Sequence, residues 1–95
     1  MKFEWDENKQ RINIQKHGVD FEEAKTVFYD EEALLLSDPD HSATEERFVI
    51  LGLSKKTNLL TVCHCCRENE EVIRIINARK ATTKAKKQYV AQKER

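Results

Sequence analysis

Four β-rich runs occupy residues 33 to 80, and they constrain the fold more than any other feature of the chain. The runs read "ALLLS", "RFVILGL", "LLTVCHCCR" and "EVIRIINARK", and the segments between them, "DPDHSATEE", "SKKTN" and "ENE", carry turn residues. Consecutive runs that are joined so tightly must be antiparallel neighbours. The sequence therefore predicts a curved antiparallel sheet.

A capping signal and a glycine bound a first helix before the sheet. The short strand "KFEW" ends at Asp6, which is a good N-cap residue, and a helix is predicted from Glu7 to His17. Gly18 ends this helix.

A second helix begins directly afterwards, in "VDFEEAKTVF". Asp20 and Glu23 form the D-x-x-E variant of a capping box, and Val19 and Ala24 occupy the two hydrophobic-staple positions. We predict a helix over Phe21–Tyr29 that packs its apolar stripe on the sheet.

A third helix, Thr83–Lys93, follows the last strand and has Thr82 as its N-cap. The predicted order is β-α-α-β-β-β-β-α. This order indicates an α+β fold in which the helices cover one face of the sheet.

Composition indicates one globular domain in a reducing compartment. The chain has 95 residues, 36% of them charged, and no stretch approaches the roughly 18 apolar residues of a membrane span. The N-terminus "MKFEWDENKQ" lacks the apolar centre of a signal peptide, and the three cysteines are an odd number within four positions. A cytoplasmic protein without membrane contact is predicted.

The net charge of zero conceals a strong asymmetry. Residues 1–46 carry 5 Lys/Arg against 13 Asp/Glu, or −8; residues 47–78 carry 5 against 3, or +2; residues 79–95 carry 7 against 1, or +6. This polarity favours an anionic partner for the C-terminal end. The alternative is that the two ends neutralise each other within the fold.

Positive charge is concentrated where the last strand becomes the third helix. The free amides of a helix N-terminus already carry about half a positive charge, so cations beside them favour a bound phosphate. The alternative is a set of lysines extended into water. The cations in question are Arg79, Lys80, Lys84, Lys86 and Lys87.

The short turn at 68–70 predicts the pairing of the last two strands. Counted outward from that turn, Arg67 faces Glu71 and His64 faces Arg74. A single histidine in a strand is more often structural than catalytic, but the neighbouring arginines favour a functional role here.

Alternation along the third run of the sheet assigns its side chains to two faces, and the sequence does not decide which face is exposed. One face carries Leu60, Val62, His64 and Cys66, and the other carries Thr61, Cys63, Cys65 and Arg67. At most two of the three cysteines and the histidine can therefore converge on one ion. Buried cysteines are favoured, and neither a metal nor a cofactor is predicted.

The chain resembles the BrnT toxins of type II toxin-antitoxin systems. The resemblance is carried, in order along the chain, by "KFEWDENKQRINIQKHGVDFEEA", "DPDHS", "EERFVILGLS", His64, Arg67 and "VIRIINARKAT". The resemblance extends from Lys2 to Tyr89 and implies a fold like that of the RelE and ParE toxins. It also implies an endoribonuclease that cuts mRNA and arrests growth. Its partner would be a BrnA-like ribbon-helix-helix antitoxin, through which the pair binds operator DNA, and a toxin dimer within a heterotetramer is one assembly it allows.

RNA cleavage by the 2′-OH requires a base, an acid and cations for the phosphate, which fits the residues above without a metal. His64 titrates near neutrality, and Arg67, Arg79 and Lys80 would complete the catalytic set. The RNA-binding residues would be Arg74, Lys84, Lys86, Lys87 and Tyr89, although Tyr89 could instead pack against the fold.

Two residues depart from the family pattern. Family members commonly carry Glu where this chain has Ala85, and Thr where it has Cys65. The alternative function is accordingly a weak or inactive module of the same fold that binds nucleic acid or protein.

Overall fold

A computed structural model describes residues 1–37 and 47–94. The elements are β1 Lys2–Glu4, α1 Glu7–His17, α2 Phe21–Thr26, a 3₁₀ turn Val27–Tyr29, β2 Leu34–Ser37, β3 Phe48–Leu53, β4 Leu59–Arg67, β5 Val72–Lys80 and α3 Thr83–Lys93. The predicted order is confirmed, and the connection predicted at 38–46 lies outside the described residues. Among those residues, no helix has the length and apolar character needed to cross a membrane.

The predicted caps determine where α1 begins and ends. The Asp6 carboxylate accepts hydrogen bonds from the amides of Asn8 (2.8 Å) and Lys9 (3.3 Å). Gly18 ends the helix with a φ of 69°, a left-handed conformation that glycine adopts without steric cost.

Only one of the two hydrogen bonds of the capping box predicted for α2 is formed. Asp20 accepts a hydrogen bond from the Glu23 amide at 2.7 Å, but the Glu23 carboxylate is used elsewhere. It is buried and accepts hydrogen bonds from Ser54 Oγ at 2.6 Å and Asn58 Nδ2 at 2.8 Å. The turn after β3 is thereby tied to α2.

The sheet has the strand order β1-β5-β4-β3-β2. The four long strands are antiparallel neighbours, as predicted, but β1 lies parallel to β5, with Phe3 opposite Ile73. The helices α1 and α2 carry the chain from the β1 edge to the β2 edge. β1 and β5 are far apart in the sequence and no short turn joins them, so the two strands can pair in parallel.

The prediction that all helices cover one face is wrong. Ile50 belongs to the main core with Phe21 and Val27, whereas its neighbour Leu51 packs with Tyr89 of α3. Adjacent strand residues point to opposite faces, so α2 and α3 lie on opposite sides of the sheet, which we call the α2 face and the α3 face. The physical reason is visible in "FVILGL", which is apolar at successive positions and therefore buries both of its faces.

Helix α1 lies beside the sheet, at the edge of β5. The buried Asn13 amide donates hydrogen bonds to Ala78 O at 2.8 Å and to Val19 O at 2.9 Å. Its Oδ1 accepts a hydrogen bond from Ala78 N at 3.1 Å. Asn13 therefore satisfies both backbone groups of Ala78, as a neighbouring strand would do.

We expect Asn13→Ala to destabilise the protein strongly, because three buried backbone groups would lose their partners. The cost should be about 2 to 4 kcal/mol, which lowers the melting temperature by roughly 10 to 20 °C. Thermal melts monitored by circular dichroism measure this. Gln15→Ala, at an exposed site on the same helix, is the control and should change stability by less than about 0.5 kcal/mol. Equal melting temperatures for the two variants would contradict the edge-pairing role of Asn13.

Candidate nucleic-acid interface

The pairing of β4 with β5 differs by one residue from the prediction. Arg67 lies opposite Val72, not Glu71, and His64 lies opposite Ile75, not Arg74. The displacement arises in the connecting turn, where three successive residues, 68–70, adopt left-handed φ angles of 52° to 70°.

A β-bulge in this hairpin decides which cations share a face. Cys63 pairs with Asn77 and His64 pairs with Ile75, so Ile76 has no opposite partner. One extra residue reverses the alternation of everything that follows it. Arg79 is thereby placed on the α3 face, and Lys80, which pairs with Leu60, points to the α2 side.

Three arginines, Arg67, Arg74 and Arg79, lie on the α3 face and form what we call the arginine row. Arg74 Nη1 contacts Glu4 Oε2 at 2.9 Å, and Arg67 Nε lies 3.9 Å from the same oxygen. Arg79 is exposed and has no carboxylate partner among residues 1–37 and 47–94. Arg79 is therefore the member of the row that is open to an external anion.

The start of α3 adds further positive charge. The first turn contains no acidic residue, and the Thr82 hydroxyl accepts a hydrogen bond from the Ala85 amide at 3.2 Å, which confirms the predicted cap. Lys84, Lys86 and Lys87 are exposed. The lysines expected at this helix terminus are thus accessible to solvent and to a ligand.

His64 lies in the core and is only 3% exposed. Its ring is 4.8 Å from the Phe28 ring and 6.1 Å from the Phe48 ring, and Nδ1 is 3.2 Å from Val62 O. Burial lowers the pKa of His64 because it disfavours the charged imidazolium. The structure places His64 on the α2 face and does not bring it together with Arg67 or Arg79.

Tyr89 packs against the fold, which is one of the two alternatives that the sequence left open. It is 5% exposed, and its hydroxyl donates a hydrogen bond to Asp30 Oδ2 at 2.6 Å. Burial, and then the hydrogen bond to Asp30, raise the pKa of Tyr89 to about 12. A ring held in this way has little exposed surface on which a base could stack, so the structure favours the packing alternative for Tyr89.

The cysteines divide between core and surface. Cys63 and Cys65 are buried, as predicted, but Cys66 is exposed. Burial and the nearby charge of Glu70 raise the pKa of the Cys66 thiol. In the described part of the chain, no three metal-ligating side chains come together.

Three basic residues of α1 that the sequence had not indicated as functional lie near Arg79 of the arginine row. Lys9, Lys16 and His17 line a cleft between α1 and β5, and Arg79 lines its other side. Lys9, Asn13 and Lys16 are spaced i, i+4, i+7, which places them on one side of the helix. That spacing was a usable signal, but only the pairing of Asn13 with Ala78 shows that this side faces β5.

A cation-rich face on a small α+β sheet is typical of proteins that bind polyanions. Comparison with known proteins gives the particular family: residues 5–85 match the family described as ribonuclease toxin, BrnT, of type II toxin-antitoxin systems. The match covers most of the chain, and the chain belongs to this family. It is a ribonuclease toxin of the type II class.

The fold is similar to the crystal structure of the Brucella abortus ribonuclease toxin, BrnT. The two share 25% sequence identity and a TM-score of 0.65, over 87% of this chain and 99% of that chain. The predicted fold class is thereby confirmed. A comparison with curated proteins found no match.

We expect part of the pH dependence of stability to come from His64. Its pKa in the folded state is below the ordinary value of 6.5, so the unfolded chain takes up this proton first as the pH falls. The free energy of unfolding should therefore decrease as the pH is lowered from about 7.5 to about 5.5. Urea unfolding of the wild type and of His64→Phe, whose ring can pack between Phe28 and Phe48, measures the effect. The variant should lose less stability over this range, and an identical loss in both proteins would contradict the assignment.

Proposed function

We propose that this toxin cleaves mRNA on the α3 face of its sheet and that Arg79 is the principal residue binding the scissile phosphate. The observation that carries the proposal is the exposed guanidinium of Arg79, which has no carboxylate partner among the described residues. An uncompensated arginine can donate two parallel hydrogen bonds to a phosphate. Family membership supports RNA as the substrate that presents it.

The proposed reaction is attack of a 2′-OH on its neighbouring phosphate, without a metal ion. Negative charge then grows on the oxygens around phosphorus, and guanidinium groups positioned in advance stabilise it. Arg67 and Arg74 extend the positive face, and the contacts of both with Glu4 hold their side chains in place. The basic start of α3, with Lys84, Lys86 and Lys87, binds flanking phosphates.

Two residues predicted as catalytic have weaker structural support. Lys80 is exposed but points away from the arginine row, so we propose that it binds RNA at the strand end and takes no part in the chemistry. His64 would have to leave the core to reach a phosphate on the α3 face. We propose that His64 packs the core, and the proton transfers belong to other groups.

We propose that a BrnA-like ribbon-helix-helix antitoxin neutralises this toxin in the cytoplasm by covering the α3 face. The complex, through the antitoxin, would bind operator DNA, and release of the toxin would arrest growth. An antitoxin segment that carries carboxylates would compete directly with RNA for Arg79.

A second candidate, a binding module without cleavage activity, is favoured by one observation. Position 85 carries a half-buried alanine, and the first turn of α3 has no acidic residue, so this turn provides no carboxylate for proton transfer. The two candidates differ in one measurable respect. A binding module would bind RNA and release no fragments.

We expect Arg79→Gln to reduce RNA cleavage by about 10² to 10³-fold, because the lost contact strengthens as charge develops at phosphorus. Stability should change by less than about 0.5 kcal/mol, since Arg79 is exposed and lacks an acidic partner among the described residues. Cleavage assays and thermal melts on the same protein preparation measure both quantities.

The matched control for this substitution is Arg11→Gln, which removes an exposed arginine from α1. The control should retain full cleavage. A lower melting temperature of Arg79→Gln with undiminished cleavage per folded molecule would show that Arg79 stabilises the fold and does not bind the phosphate.

We also expect the affinity between toxin and antitoxin to fall as salt rises. Charged groups on the arginine row would be attracted to an anionic antitoxin segment, and salt screens that attraction. Calorimetric titrations from about 0.05 M to about 0.5 M NaCl measure the slope of the logarithm of the affinity against the logarithm of the salt concentration. Arg79→Gln should flatten it, and an affinity independent of salt would contradict binding at the shared face.

A further inference from the structure

The cleft between α1 and β5 is a site to which the proposed function has so far assigned no role. Its lining includes Lys9, Ile12, Lys16 and His17 of α1 and Asn77 and Arg79 of β5. None of the lining residues is acidic. The cleft therefore presents only positive, neutral polar and apolar groups to a ligand.

Three of the four basic side chains of this cleft are not neutralised by the fold. Within residues 1–37 and 47–94, Lys16, His17 and Arg79 form no ion pair and no side-chain hydrogen bond. All three are exposed. An anion that enters the cleft can bind them without displacing an existing partner.

The cleft is continuous with the proposed phosphate site. Asn77 and Arg79 point to the α3 face because of the bulge at Ile76, and they form the β5 side of the cleft. Arg79 and His17 line the same cleft, so a phosphate bound there by Arg79 has access to His17. This is the one titratable imidazole of the described residues that is exposed on the surface, since His64 is buried.

We propose that His17 is the general base of the cleavage reaction, within a site for the RNA backbone formed by the α1–β5 cleft. The proposal rests on the proposed function. The neutral imidazole accepts the 2′-OH proton while the 2′ oxygen bonds to phosphorus and the bond from phosphorus to the 5′ oxygen breaks. Water gives a proton to the 5′ oxygen, and the resulting hydroxide takes the proton from the imidazolium. The products carry a 2′,3′-cyclic phosphate and a 5′-OH.

The surroundings of His17 suit this role. Lys16 and Lys9 contribute positive charge from α1, and Arg79 contributes it from β5. These cations surround the position where a bound phosphate would lie. They also attract the phosphate that brings the 2′-OH close.

His17 also occupies the last turn of α1, where a positive charge stabilises the helix dipole. A purely structural role would therefore be satisfied by lysine. His17→Lys places a cation at the helix C-terminus but supplies no base near neutral pH, whereas His17→Gln supplies neither a cation nor a base. The pair separates a structural contribution from proton transfer.

The test measures cleavage of a long single-stranded RNA of mixed sequence in a translation mixture that contains ribosomes. We expect both variants to lose about 10² to 10⁴-fold in rate. The wild-type rate should fall at acid pH as the base becomes protonated, and His17→Gln should lose this limb of the pH profile. Binding of RNA with 2′-deoxy substitutions, which cannot be cleaved, should persist in His17→Lys.

The outcomes distinguish the two proposals. Undiminished cleavage by His17→Gln, or an acid limb that persists in that variant, would overturn the role of His17 and leave the proposed function standing. Full activity of His17→Lys would show that no base is needed at position 17 and would also overturn the role of His17. Fragments without 2′,3′-cyclic phosphate ends would overturn the mechanism, and no cleavage by the wild type would overturn both proposals. Thermal melts of each variant exclude loss of folding as the cause.

Discussion

The pairing of the Asn13 amide with the backbone of Ala78 is the contact on which the rest of the molecule depends. The parallel strand β1 pairs with β5 only as far as Arg74, yet β5 continues to Lys80. Buried backbone groups beyond that point need partners, and a side-chain amide supplies a donor and an acceptor at once. The helix that carries Asn13 is therefore fixed at the strand edge, and its basic residues are fixed beside Arg79.

The bulge at Ile76 has an equally direct effect on chemistry. Ile73 and Ile75 belong to the core on the α2 face, and strict alternation would have sent Arg79 to that face as well. One unpaired residue returns Ala78 to the core and places Arg79 with Arg74. Such irregularities are over-represented beside active sites because they redirect a side chain without ending the strand.

The sequence predicted the elements well because their signals are local. Asp6, Gly18 and Thr82 cap the helix ends where predicted, and α3 has the predicted bounds. That helices cover both faces of the sheet could also have been predicted, since β3 is apolar on both faces. The register of the β4–β5 hairpin could not have been predicted. It depends on left-handed backbone conformations at Glu68 and Glu70, and glutamate rarely adopts that conformation.

The candidate site was predicted only in part, and the reason is the difference between local and long-range information. By itself the sequence determined the order of elements, the family and the basic character of the strand-to-helix junction, since composition, caps and motifs are properties of neighbouring residues. The tertiary structure alone decided that His64 is a core residue, that Tyr89 is held by Asp30 and that His17 lines the same cleft as Arg79. Each of these facts depends on contacts between segments far apart in the chain, such as Asn13 and Ala78, which are separated by 65 positions. No local pattern encodes them.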